Sequence, residues 1–332
     1  MQEQHIRICV FNYREFDEAV HFQNIAAELG VALVITEQAP VLDSLEIAKG
    51  CDAISIITTP IDEAMIDRLC DLQVRMISTR TVGVDHIAVE YARERGIFVS
   101  NATYPPQGVA EYALMLMMMA ARKMKQITAR AAIQDYSLEG LIGQDFSGMT
   151  VGIVGTGKIA AALITRLRGF GNRILVCGNY RNEEIAQHAE YVSLAVLLAE
   201  ADIISLHAAY DDTKRHMIDR DAIQQMKPQV ILVNTARGAL IDTEALIEGI
   251  ESGKIAAVAL DVLENEEALY YHNRSGDVLT DRQHAILKSF PNVIVTPHMA
   301  FYTEDSVRNM IASSLKSCLY ELTGQANPWK VC

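Results

Sequence analysis

The stretches VNTARGALID, ALDVLENEE and VIVTPHMAFYTED each end an apolar run with polar residues. Arg237 follows the first run, Asp261 and Glu266 the second, and His298 the third. A buried strand has no need of such residues, and in an open α/β sheet the carboxyl ends of the strands face the ligand crevice. An arginine, a carboxylate and a histidine make a working set for a ketone that carries a carboxylate. The guanidinium grips the oxygens of an α-keto acid, the imidazole carries the proton, and the carboxylate keeps the imidazole charged and oriented. Each residue also has a structural reading: Arg237 as a helix cap or surface pair, His298 as a hydrogen-bonded core residue, Glu266 as part of a solvated acidic run. Their occurrence at successive strand ends favours the chemical reading.

A second constellation suits a nucleotide. TVGIVGTGKIAAALITRLRGFG reads as a buried strand (Val151–Val154), a tight turn at Gly155 and Gly157, and a helix, with Ala160 where a third glycine often packs. Amides at the helix start and the positive end of its dipole suit a pyrophosphate. At the end of the next strand, VCGNYR, a carboxylate is expected to hold the adenosine ribose, but Gly178 stands there. Its absence removes repulsion of a 2′-phosphate and opens space, while Asn179, Tyr180 and Arg181 offer donors. NADP is therefore the favoured cofactor, with NAD possible. In the alternative, Gly178 is only a turn glycine, Arg181 points to solvent and NADH binds.

These residues need a scaffold that brings strand ends together. The runs IRICVF, VALVI, AISII, VRMIST and IFVSN alternate with amphipathic stretches, and TVGIVG, RILVC, ADIISLH, QVILVNT, AAVALDV and NVIVTPH repeat the pattern. Short apolar runs between helical patterns read as parallel strands covered by helices, so the fold is α/β with two doubly wound parallel-sheet domains. Pro105 and Pro106 break the chain between the series, ahead of the apolar helix VAEYALMLMMMAAR, and the tail after His298 reads as an amphipathic helix that either domain could receive.

The 332 residues suit two domains, and 50% hydrophobic with 21% charged residues reads as globular. The net charge of −13 argues against nucleic acid. The apolar helix is interrupted by Glu111 and too short to span a bilayer. Six scattered cysteines without ligand spacing predict no metal and a reducing cytoplasm.

The motifs VGIVGTGKIA, ISTRTVGVD, NTARGALID, ALDVLENEE and NVIVTPHMAFYTE, in this order, resemble the D-isomer-specific 2-hydroxy acid dehydrogenases over nearly the whole chain. The insert LYYHNRSGDVLTDRQHAIL resembles their D-lactate dehydrogenase branch, and LRGFG, GNYRN and FPNV look closest to the vancomycin-resistance type. The resemblance implies a Rossmann-type nucleotide domain over 103–299 and a flavodoxin-like substrate domain from 1–102 with 300–332. It implies Arg237 as the substrate-binding arginine, Glu266 as the partner of the histidine, and His298 as the acid/base. Val82 and Gly83 match a loop whose amides hold the substrate carboxylate. Tyr104 matches an aromatic near that carboxylate, and Phe301 and Tyr302 residues closing the side-chain pocket. The cofactor set is Gly155, Gly157, Lys158, Ile159, Gly178, Asn179, Arg181, His207, Ala208, Thr235, Ala236 and Asp261. A tryptophan often found after the apolar helix is absent from AAIQDYSLEGLIG. The implied activity is reduction of a short 2-keto acid, pyruvate by default, to the D-2-hydroxy acid by a cytoplasmic homodimer. The alternatives are a dehydrogenase of larger 2-keto acids and a nucleotide-sensing, corepressor-like scaffold.

Overall fold

The computed structural model describes residues 6–266 and 269–332. The chain divides into two compact units, Met1–Pro105 with Tyr302–Cys332, and Pro106–Phe301. The sequence reading drew these borders at 102/103 and 299/300.

The first unit opens with β1 (Arg7–Val10), α1 (Glu15–Leu29), β2 (Ala32–Ile35), β3 (Ala53–Ile56), α2 (Glu63–Asp71), β4 (Met76–Thr79), α3 (Val89–Glu94) and β5 (Phe98–Ser100). Among the described residues its sheet has five strands in the order β2-β1-β3-β4-β5, all parallel, which is the flavodoxin-like order. Successive side chains leave a strand on opposite faces. Ile8 and Val10 therefore pack with Phe22 and Ile25 of α1. Cys9 and Ile54 pack with Ile66 and Leu69 of α2 on the other face.

Past Pro105–Pro106 the second unit runs through α4 (Gln107–Ala121), α5 (Met124–Ala132), β6 (Thr150–Val154), α6 (Lys158–Leu167), β7 (Arg173–Cys177), α7 (Glu183–Ala186), β8 (Glu190–Tyr191), α8 (Leu194–Glu200) and β9 (Ile203–Leu206). It continues with α9 (Arg220–Gln225), β10 (Val230–Asn234), α10 (Thr243–Glu251), β11 (Ile255–Leu260), α11 (Arg282–Ser289) and β12 (Val293–Val295). The described sheet has seven strands in the order β12-β11-β10-β9-β6-β7-β8, all parallel. The order reverses between β6 and β9, the switch point at which such sheets bind dinucleotides. In the methionine-rich α4, Leu116 and Met117 are fully buried against Ile153 and Val233, whereas Met115 and Met118 are exposed.

The tail helix α12 (Glu304–Leu322) returns to the first unit. Val307, Ile311 and Leu315 join Phe22 and Ile25 of α1 in the layer that covers one face of the sheet. Two buried serine pairs tie it to the sheet: Ser314 with Ser55 at 2.8 Å and Ser317 with Ser78 at 3.0 Å. Among the described residues no helix is long and apolar enough to cross a membrane.

Candidate active site

His298 lies on the loop that leaves β12. Its Nδ1 stands 2.5 Å from Glu266 Oε1, and Glu266 Oε2 accepts the Leu263 amide at 2.7 Å, so the carboxylate is fixed before it fixes the ring. His298 takes φ +52, a left-handed conformation that a non-glycine residue holds only where its surroundings impose it. Its amide donates to the Asp261 carbonyl at 2.7 Å, and Asp261 supplies the rest of the constraint. Oδ1 accepts from the Thr296 hydroxyl (2.6 Å) and the Met299 amide (2.8 Å), and Oδ2 from the Ala300 amide (2.8 Å). Asp261, expected to contact the cofactor, is fully buried at the end of β11. Burial pushes its carboxyl up, and these hydrogen bonds oppose that shift. Its two oxygens hold three donors of the histidine loop, so Asp261 braces that loop from beneath.

Arg237 follows β10. The Asn234 side chain holds the turn, donating to the Arg237 carbonyl at 2.8 Å and accepting the Ala236 amide at 3.0 Å. Gly238 crosses the loop of Glu266 so closely that a Cβ would sit 2.0 Å from the Leu263 carbonyl carbon and 2.4 Å from the Glu264 nitrogen. The arginine loop and the glutamate loop are thus in backbone contact.

In the first unit, Asn101 donates to the Val82 carbonyl at 2.8 Å and Thr81 to the Gly83 carbonyl at 2.6 Å. Because a trans peptide points its C=O and N–H in opposite directions, these bonds turn the N–H groups of Gly83 and Val84 the other way. Beneath the loop, fully buried Arg80 donates to the Phe11 carbonyl and to Ser55, locking the ends of β1 and β3. Tyr104 is half-buried on the segment before α4, and the Tyr302 hydroxyl donates to Asp17 of α1 at 2.8 Å. Phe301, by contrast, closes the second unit and packs by its ring edge near His298.

The nucleotide turn fits its expected ligand. Gly155 takes φ +118, and a Cβ there would lie 2.6 Å from the His207 carbonyl, so only glycine brings β6 this close to the end of β9. At Gly157 nothing stands within 4 Å of a Cβ position, and no side chain caps α6, whose Lys158 and Ile159 begin the helix. Open space over uncapped helix amides is where a pyrophosphate binds. Nearby strand ends carry half-buried Ala208 and Ala236, and the buried Thr235 hydroxyl has no hydrogen-bond partner among the described residues. Burial pushes the His207 imidazole down to about 4, which keeps it neutral at pH 7, with Nε2 at 2.9 Å from Ser205 Oγ.

The D-isomer specific 2-hydroxyacid dehydrogenase NAD binding domain matches residues 114–300. A D-specific alpha-keto acid dehydrogenase of Enterococcus faecalis is 40% identical over 306 residues, covering 92% of this chain and 94% of its own. An aromatic 2-oxoacid reductase of Clostridium sporogenes is 37% identical over 320 residues, covering 95% and 97%. The structure of D-lactate dehydrogenase with NAD+ from Lactobacillus jensenii superposes with a TM-score of 0.84 at 30% identity, over 98% of this chain and all of that one. The chain belongs to the D-isomer-specific 2-hydroxyacid dehydrogenases. It carries their NAD-binding domain.

Within this dehydrogenase the reasons for expecting NADPH change. The space beside Gly178 is taken by Thr156, whose Cγ2 and Oγ1 lie 2.5 and 2.7 Å from where a Cβ at 178 would stand. Gly178 has no positive φ, so it is not a left-handed turn glycine either. Arg181 lies over the Tyr191 ring at 5.1 Å, and its Nε pairs with Glu183 at 3.2 Å. The Tyr180 hydroxyl donates to the Thr156 carbonyl at 3.0 Å, while Asn179 is exposed. Of the grounds for NADP, the open space is taken by Thr156 and Arg181 rests on Tyr191 and Glu183, while the missing carboxylate at 178 remains.

Other residues of the dehydrogenase site escaped the sequence reading. Glu264 bonds His216 Nε2 at 2.8 Å and the Thr243 hydroxyl at 2.9 Å, bracing the glutamate loop from the side opposite Glu266. Its one signal was a second acid two positions before Glu266 in ENEE. Asn234, Arg80 and Asn101 act through backbone carbonyls and amides and Thr296 through the Asp261 carboxylate, and nothing in their spacing announces that.

Proposed function

We propose that the chain reduces a 2-oxo acid to the D-2-hydroxy acid, and reverses the reaction. The observation that carries this reading is the 2.5 Å bond from His298 Nδ1, on a loop clamped by Asp261, to Glu266, whose own loop is in backbone contact with that of Arg237. With Nδ1 held by the carboxylate, Nε2 is the nitrogen that serves the substrate. Bound NADH supplies the hydride for the carbonyl carbon. The protonated His298 gives its Nε2 proton to the carbonyl oxygen, and Glu266 stabilises the imidazolium until that transfer. The Arg237 fork binds the substrate carboxylate and polarises the carbonyl. Of the two residues the sequence reading named for this loop, Val82 and Gly83, it is Gly83 whose amide turns outward, and that amide is our candidate in the first unit for an anionic group. Oxidation of the hydroxy acid needs neutral His298, so its pH optimum lies above that of reduction. Replacing His298 with Gln is expected to lower kcat by about 10²–10⁴ with NADH binding retained. Near-normal turnover would remove His298 from the mechanism.

Pyruvate is the default substrate of the sequence reading, but two observations favour a larger side chain. A relative 37% identical over 320 residues is named for aromatic 2-oxoacids. The rings of Tyr271 and Phe301 also gather beside His298. A panel of 2-oxo acids ranked by kcat/KM tests this. If no member of the panel oxidises NADH, the nucleotide-sensing scaffold becomes the better reading. For the cofactor we assign NADH over NADPH, since Thr156 fills the space beside Gly178 and Arg181 is engaged; equal or better kcat/KM with NADPH would reverse the assignment. A homodimer fits the apolar side chains exposed just after α5, Ile133 at 77%, Tyr136 at 77%, Leu138 at 87% and Ile142 at 85%. A monomeric mass at micromolar concentration would dismiss it.

A further inference from the structure

We propose that Tyr271, in the insert that follows Glu266, is a specificity-determining residue that selects 2-oxo acids with flat aromatic side chains. The proposal rests on the reductase reading above and adds the group that reads the substrate's side chain. Tyr271 takes φ +65. Outside glycine and asparagine this left-handed conformation is costly, so the fold bears strain to keep an aromatic side chain at a position where a small residue would relax. The ring is then pinned. Its hydroxyl donates to the main-chain carbonyl of His298 at 3.1 Å.

Pinning creates a three-ring corner. The Tyr271 centroid lies 6.4 Å from that of His298 with the planes 40° apart, and 6.5 Å from Phe301 at 88°. His298 and Phe301 meet at 6.2 Å and 80°. These are the tilted and edge-to-face arrangements that aromatic quadrupoles prefer. Although packed against His298 and Phe301, Tyr271 is 47% exposed. A large apolar ring with an open side, held one ring from the proton donor, offers a surface on which another aromatic group can lie. A methyl group, as in pyruvate, has too little area to gain from it. Aromatic pairs contribute about 0.5–1.5 kcal/mol beyond buried area, which corresponds to roughly tenfold discrimination.

The test compares kcat/KM for phenylpyruvate and for pyruvate in the wild type, Tyr271→Asn and Tyr271→Phe. Asparagine tolerates the left-handed backbone, so it removes the ring without adding strain, and phenylalanine keeps the ring without the hydroxyl. NADH affinity by fluorescence checks that the nucleotide domain is intact. Tyr271→Asn is expected to lower the phenylpyruvate-to-pyruvate ratio about tenfold, chiefly through KM for phenylpyruvate. Tyr271→Phe, which keeps the ring and loses its anchor, is expected to lower the ratio less than Tyr271→Asn, and an equal fall in both would overturn the role of the ring. An unchanged ratio in Tyr271→Asn overturns the proposal, whether or not the absolute rates fall, because a parallel fall for both acids assigns the residue to holding His298. A wild type that reduces neither acid while binding NADH overturns the reductase reading and this inference with it.

Discussion

Asp261 shows how one buried carboxylate sets the conformation of a reactive neighbour. Its oxygens collect the Thr296 hydroxyl and the amides of Met299 and Ala300, and His298 lies inside that span with φ +52. An amide in its place keeps one acceptor and turns an N–H₂ toward a backbone N–H, two donors facing each other without water. Hydrogen bonds to a charged group contribute about 1.5–3 kcal/mol, and an orphaned buried donor costs a similar amount. Asp261→Asn is therefore expected to lower Tm by several degrees and to reduce kcat more than tenfold, because His298 loses its imposed backbone. Thermal unfolding and steady-state kinetics on the same preparation check it. Unchanged kcat with a lowered Tm would confine Asp261 to stability.

The loops after β10 and β11 meet main chain to main chain at Gly238, and this closeness brings Arg237 and Glu266 onto one scaffold. Any side chain at 238 collides with the Leu263–Glu264 peptide, which cannot step aside while Glu264 is bonded to His216 and Thr243. Gly238→Ala should raise KM for the 2-oxo acid and lower kcat/KM at least a hundredfold while leaving NADH affinity near normal; unaltered kinetics would mean the two loops separate without cost. The end of β9 carries a pH dependence of its own. His207 is depressed to about 4 by burial, so the unfolded chain binds its proton more readily than the folded one. The sign follows: stability is full above about pH 6.5 and falls as pH drops toward 4. A plot of Tm against pH should lose this component in His207→Asn, and an identical profile would assign the acid sensitivity elsewhere. The strands of both sheets were legible because each is a short apolar run between helical patterns, as in RILVC or QVILVNT. β8 was not, since Glu190–Tyr191 has two residues and no period to read. The ends of β10, β11 and β12 were legible because polar residues stop an apolar run abruptly. Thr156 was invisible as the occupant of the space beside Gly178, because the contact joins two loops 22 residues apart and only packing reveals it.

At the scale of the molecule, the second unit is one continuous stretch and the first is assembled from both ends of the chain. The tail helix is not an appendage: Val307, Ile311 and Leu315 share one buried cluster with Ala53, Met76 and α1, and Ser314 and Ser317 complete buried pairs with the sheet. Removing α12 strips half of the helical layer from one face of the five-stranded sheet and leaves α1 alone there, whereas the nucleotide unit keeps all of its layers. A chain stopped at Phe301 is therefore expected to bind NADH and to lose 2-oxo acid reduction, with the N-terminal segment open to proteolysis. Retained reductase activity, or a loss of NADH binding, would contradict this division of labour. The sequence showed the helix by its amphipathic pattern but left its destination open, because an apolar stripe says that a partner exists and not which one.

The Asp261 clamp has a consequence for motion. Loops outside helices and strands ordinarily exchange their amide hydrogens with solvent quickly, yet the amides of His298, Met299 and Ala300 all end on Asp261, whose own side chain is sealed from water. These three hydrogens should persist in deuterium oxide as long as those of β11, forming an island of slow exchange inside an irregular segment. His298 then travels with the sheet as part of its rigid body, although it lies outside every helix and strand.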